Sequence, residues 1–137
     1  MSTICTFNVP IDQGPVPLTA VLTKVVSILL PAPNPSTGVS ARWALFGKVV
    51  VTNSHSNPQQ ATAELLHGAT LLDKTVVVIP GAGISQSLSV EGTLTTAAGA
   101  VNCVQISCSI TGGPPGTAQL AQLIAISVDV LEPSQPC

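Results

Sequence analysis

Between Ser85 and Leu94 polar and apolar residues alternate, with Leu88, Val90 and Leu94 on one parity and Ser87, Ser89, Glu91 and Thr93 on the other. A period of two marks a strand with one face in a core; a helix would repeat about every 3.6 residues. The alternation returns from Val101 to Ile110, where Val104, Ile106, Cys108 and Ile110 oppose Cys103, Gln105, Ser107 and Ser109. It returns again from Ala118 to Leu131, where Ile124, Ile126, Val128 and Val130 share one face. The other face of this last strand holds Leu123 and Ala125 before turning polar at Ser127 and Asp129. A strand apolar on both faces is covered on both. Leu123 and Ala125 are therefore the residues expected at a subunit interface.

The remaining segments fit the same pattern. Ala41 to Thr52 reads as a strand with Trp43, Leu45, Val49 and Val51 on one parity, and Gly47 is expected to mark a bulge. Ala61 to Leu66 is a short strand before His67-Gly68. Thr75 to Ile79 is an apolar run expected as a buried strand, stopped by Pro80 and Gly81. Leu18 to Leu30 satisfies both periods: Leu18, Val21, Leu22, Val25, Val26 and Leu29 match helical spacing, whereas the β-branched Thr19, Val21, Thr23, Val25 and Val26 favour a strand, the reading taken here. Before it, Pro10, Pro15 and Pro17 make residues 1–17 an extended arm. Within that arm Ile4, Phe7, Val9 and Ile11 are the contacts expected with a neighbouring subunit. The expected organisation is an arm over 1–17, a β-sandwich over 18–132 and a tail over 133–137. About seven or eight strands separated by regular turn signals give an all-β, antiparallel two-sheet sandwich.

Composition narrows what such a sandwich does. A soluble domain carries about a quarter charged residues; this chain of 137 residues carries 7%, with 45% hydrophobic and a net charge of -2. So little charge leaves few groups to solvate the surface of a lone subunit. The abundance of Val, Ile and Leu excludes disorder. The cations Lys24, Arg42, Lys48 and Lys74 are scattered, which gives no footprint for nucleic acid. No segment reaches the roughly 20 apolar residues of a membrane span, because Lys24, Ser27 and Pro31 interrupt the longest candidate. No secretory signal is visible at the N-terminus, so a role outside the cell would require lysis or a specialised export route.

Catalytic chemistry has little to stand on. His55 and His67 are the only histidines; Glu64 shares a strand end with His67, yet no further ligand joins them, and both read as exposed polar residues. Gly83-Ile-Ser85-Gln-Ser87 lacks the second glycine of a nucleophile elbow. Gly81-Ala-Gly83 lacks the third glycine of a dinucleotide loop and sits between strands. The expectation is no enzyme: no catalytic residue, no cofactor and no metal. Among the cysteines there is no C-x-x-C pair. Cys108 shares the apolar parity of its strand and is expected as a buried, inert thiol. Cys5, Cys137 and Cys103 are the candidates for cross-links between subunits.

Several stretches together resemble a known family. They are Gly47-Lys-Val-Val-Val-Thr-Asn53, Ala61-Thr-Ala-Glu-Leu65, Leu72-Asp-Lys-Thr-Val-Val-Val-Ile-Pro-Gly81, Ser87-Leu-Ser-Val-Glu-Gly92, Val104-Gln-Ile-Ser-Cys108 and Ala121-Gln-Leu-Ile-Ala-Ile126. Their order resembles the tumour necrosis factor and complement globular-head jelly rolls, and among these the bacterial exosporium tip domains and spore-surface filament subunits. The resemblance implies a jelly roll and a compact trimer, with the first, last and penultimate long strands around the threefold axis. There is no Gly-X-Y stalk, and aromatic residues are few.

These readings converge on a structural protein of an extracellular or spore-surface filament, in which trimers are stacked through the N-terminal arms. An extended arm adds to a sheet edge through main-chain hydrogen bonds and so tolerates almost any sequence. The alternative is a non-catalytic receptor- or glycan-binding tip of a filament or virion. The expected partners are copies of the chain itself and an anchoring protein on a cell or spore surface.

Overall fold

The computed structural model describes residues 6–8, 15–33, 41–97, 102–111 and 116–128. Every regular element among them is a strand: β1 (Thr6–Asn8), β2 (Val16–Leu18), β3 (Thr23–Leu30), β4 (Arg42–Asn53), β5 (Gln59–His67), β6 (Thr70–Ile79), β7 (Ile84–Thr95), β8 (Asn102–Ile110) and β9 (Gly116–Val128). The first sheet runs β9-β4-β7, with β1 and β2 both on the free side of β9; the second runs β3-β8-β5-β6. All pairings are antiparallel, and they are nested: β5 with β6, β4 with β7, β3 with β8, β2 with β9. Nested pairs divided between two facing sheets are the topology of a jelly roll.

The core lies between the sheets and is built from the alternating residues. Trp43, Leu45, Val49 and Val51 of β4 are fully buried, as are Leu65 of β5 and Val104, Ile106, Cys108 and Ile110 of β8. Gly47 lies on the inward parity of β4 without forming a bulge with β7, where the register runs unbroken. Its place is set by the facing sheet: a Cβ here would stand 2.5 Å from Ile106 Cδ1. The bulge is on β9 instead. Lys48 faces Gln122 and Val50 faces Gln119, so Leu120 and Ala121 together oppose Val49, and Leu120 takes a left-handed φ of 53°.

That extra residue inverts the parity of β9. Ala118 points inward before the bulge, and Ala121, Leu123 and Ala125 point inward after it. A similar shift in β3, between Lys24 and Val26, lets the adjacent Val25 and Val26 both be buried.

Four expectations change. Thr75 to Ile79 is part of an edge strand: Ile79 is buried, whereas Val76 and Val78 face out, because only one face of β6 meets the core. Leu18 to Leu30 is two strands, β2 in the first sheet and β3 in the second, joined by the exposed Val21 and Leu22. Over Thr6–Asn8 the arm pairs with β9 of its own chain, Phe7 opposite Ala125. The boundary expected at residue 17 falls inside β2.

Candidate assembly surface

Along β4 and β9, strand parity leaves apolar side chains unburied on the outer face of the first sheet. Rows across β7, β4 and β9 read Thr93, Ala44, Ile126; then Glu91, Phe46, Ile124; then Ser89, Lys48, Gln122. Phe46 is 46% exposed, and Ala44, Ile124, Ile126 and Val128 beside it are half-buried. The result is an apolar stripe along β4 and β9, flanked by the hydroxyls of β7. The outer face of the second sheet is mixed: Lys24, Ser27, Thr62, Glu64 and Gln105 share it with the exposed Leu29, Val76 and Val78, and Lys74 Nζ lies 4.0 Å from Glu64 Oε1.

Phe46 stands among hollows. One of about 470 Å³ is lined by Phe46, Gly47, Asp73, Ser89, Val90 and Glu91. A second, of about 240 Å³, lies on the β9 side against Lys48, Gln122 and Ile124. A third, of about 340 Å³, continues along β4 and β7 past Ala44 and Thr93.

The wall of the largest hollow is held by a latch between the sheets. Asp73 Oδ2 of β6 accepts the amide of Glu91 at 2.9 Å, and its Oδ1 accepts the amide of Lys74 at 2.9 Å. Thr75 donates its hydroxyl to the carbonyl of Ser89 at 2.6 Å. Side chains of the second sheet thus satisfy backbone groups on the outer edge of β7, where an unpaired ladder would invite another strand.

The residues expected at the interface from sequence are elsewhere. Leu123 and Ala125 are both 0% exposed within a single chain, packed against the second sheet. The interface expectation for them is wrong, because their parity is the core parity; Ile124, Ile126 and Val128 form the outer face. The partition into two apolar faces was visible in the sequence, but nothing in the alternation says which one a lone chain covers. Phe46 and Lys48 were not among the residues expected at an interface, although their outward parity follows from the burial of Trp43, Leu45 and Val49.

Cys103 is a free thiol, half-buried on the outer face of the second sheet and paired in register with Leu29, itself 67% exposed. Cys108 is fully buried, and loss of hydration around the thiolate pushes it from 9.0 up to about 12. Cys5, Cys137, Ile4, Val9 and Ile11 lie outside the described residues. His55 serves a turn: its Nδ1 accepts the Asn57 amide at 3.1 Å, while buried Asn53 accepts the His55 amide at 2.8 Å and donates to the carbonyls of Asn57 and Ile79. Among the described residues no three His, Cys, Asp or Glu are grouped to hold a metal ion.

No protein-family model and no curated sequence matches the chain. Solved structures do. The infectious bursal disease virus VP2 subviral particle matches with a TM-score of 0.51 and 15% identity over 90% of this chain and 33% of that one. The chain thus spans about a third of the capsid polypeptide. A Bacillus endospore appendage, described as a disulfide-linked pilus, matches at 14% identity and TM-score 0.43, over 95% of this chain and 92% of that one. The Eiger tumour necrosis factor of S. frugiperda matches at 11% identity and TM-score 0.44, over 90% and 98%. Likeness at these identities concerns the fold. The match to the VP2 particle agrees with the jelly roll.

Proposed function

We propose that this chain is a non-catalytic structural subunit that assembles with copies of itself on the outside of a cell or spore. Jelly-roll trimers form first and are joined into a filament or layer through residues 1–17, with Cys103, Cys5 and Cys137 supplying covalent links. The observation that carries this reading is the outer face of the first sheet. Phe46, Ala44, Ile124, Ile126 and Val128 form an apolar stripe on a chain with only 7% charged residues, and a contiguous exposed apolar patch marks an interaction site. The edge of β9 supports the role of the arm, since it accepts Thr6–Asn8 as an antiparallel strand, and the same edge on a neighbour offers the same hydrogen bonds where the two chains exchange arms.

Light scattering and electron microscopy of the purified protein test the proposal. Trimers and fibres or sheets are expected. A monomer at all concentrations would overturn it, and discrete trimers that never form fibres would replace the filament with a binding tip.

A further inference from the structure

The outer face of the first sheet carries charges as well as apolar groups. Neither the Lys48 ammonium nor the Glu91 carboxylate has an ionic partner among the described residues, although both are exposed. They are diagonal neighbours, since Lys48 faces Ser89 and Phe46 faces Glu91, and such neighbours lie about 7–8 Å apart. Asp73 adds a second carboxylate to the wall of the large hollow. The latch fixes it there by two backbone amides, while the ammonium of the adjacent Lys74 points to Glu64 on the second sheet. One small area therefore contains a protruding aromatic ring, hollows beside it, a free cation and an acidic wall.

We propose that this area meets the same area of a second copy across a symmetry axis passing close to Phe46, with Lys48 of one copy entering the hollow formed by Glu91 and Asp73 of the other. The proposal rests on the self-assembly reading above and specifies its contact. A two-fold contact requires a patch complementary to itself, and a small closed ring brings two nearby patches together around one axis, whereas a fibre contact joins patches whose rotation does not close. Here ring and hollow share Phe46, and cation and acid stand one residue pair from it. The stripe of Ile124, Ile126 and Val128 excludes water from the contact, and the charge pair fixes its register, because a displaced copy would leave Lys48 against apolar side chains. Growth beyond the closed ring then falls to other surfaces.

The test begins with the unmodified protein. Isotopically light and heavy chains are unfolded together, refolded with reductant, shown by light scattering to be assembled, and treated with a carbodiimide, which joins an amine to a carboxylate with no spacer. Expected are peptides joining Lys48 to Glu91 or Asp73, about half of the inter-chain products being of mixed isotope. Cross-links of pure isotope only, in an assembled sample, would be intrachain and would overturn the proposal while leaving self-assembly standing. A monomeric sample would overturn both. In parallel, Lys48→Glu and Glu91→Lys should each weaken association at least tenfold, and the double exchange should recover most of the loss. Association unchanged in both single variants, with folding verified by circular dichroism, would equally overturn the charge pairing.

Discussion

Replacing Gly47 by alanine tests the closeness of the two sheets. The new Cβ would stand 2.5 Å from Ile106 Cδ1, 3.2 Å from Val90 Cγ2 and 3.4 Å from Ile106 Cγ1. Ile106 is 0% exposed and Val90 only 3%, so neither has open space into which to swing. Overpacking of this kind costs about 1–3 kcal/mol, and the stiffer unfolded chain returns about 0.4–1 kcal/mol. Gly47→Ala should therefore lose roughly 1–2 kcal/mol net. Ile106→Val, which removes the nearest methyl group, should by itself cost about 0.5–1.5 kcal/mol. Combined, the two should cost less than their sum by on the order of 1 kcal/mol, because the methyl that obstructs the alanine is gone. Urea unfolding at fixed protein concentration measures this through the fluorescence of Trp43, the sole tryptophan and fully buried. A Gly47→Ala chain as stable as the parent, or costs that simply add, would refute close packing at this point.

Leu123→Ala should lower stability by about 2–5 kcal/mol, as expected of a fully buried leucine, whereas Ile124→Asp on the opposite face should dissociate the assembly and leave the unfolding midpoint of the isolated subunit nearly unchanged; urea melts and light scattering separate the two. Burial holds the Cys108 thiol up at about 12. The folded chain then keeps a proton that the unfolded chain loses, so the contribution is complete below about pH 9 and is lost as pH rises toward 12, by up to about 1.4 kcal/mol per unit. Comparing urea midpoints of the parent and Cys108→Ala at about pH 8 and about pH 10.5 checks this: the gap between them should narrow at the higher pH. In the native protein a thiol reagent should modify Cys103 and spare Cys108, with equal rates counting against the burial. If cysteines link subunits, electrophoresis after oxidation should show multimers that collapse with reductant, and monomer in both lanes removes the links.

Most of the strands were legible because each carries its own period of two, and the buried apolar residues of β4, β7 and β8 follow it. Three features were not. The bulge at Leu120 escapes notice because a leucine, not a glycine, adopts the left-handed conformation. The facing of β9 was inverted because both of its faces are apolar, so Leu123 and Ile124 look equally suited to a core. Val76 and Val78 look buried in a run of valines, yet position at the sheet edge decides their exposure, and edge position belongs to the topology. The candidate surface suffers from the same gap. Glu91 is far in the chain from Phe46 and Lys48 and becomes their neighbour only once β4 is registered against β7.

The nesting of the strand pairs also bears on how the chain finds its fold. Pairing β2 with β9 directly would close a loop of most of the domain, and all-β folds built from such distant pairs fold slowly. The order of pairs offers a shorter route. The two-residue turn at Gly68 and Ala69 makes β5 and β6 a local hairpin, which brings the ends of β4 and β7 together; their pairing does the same for β3 and β8, and these in turn for β2 and β9. Each step then closes a short gap instead of a long one, and closure entropy depends on the length that remains free. Pulse-labelled hydrogen exchange during refolding should find amides of β5 and β6 protected before those that pair β2 with β9. Until that last closure the edge of β9 stays open, and the chain is most able to take up a strand from a neighbour.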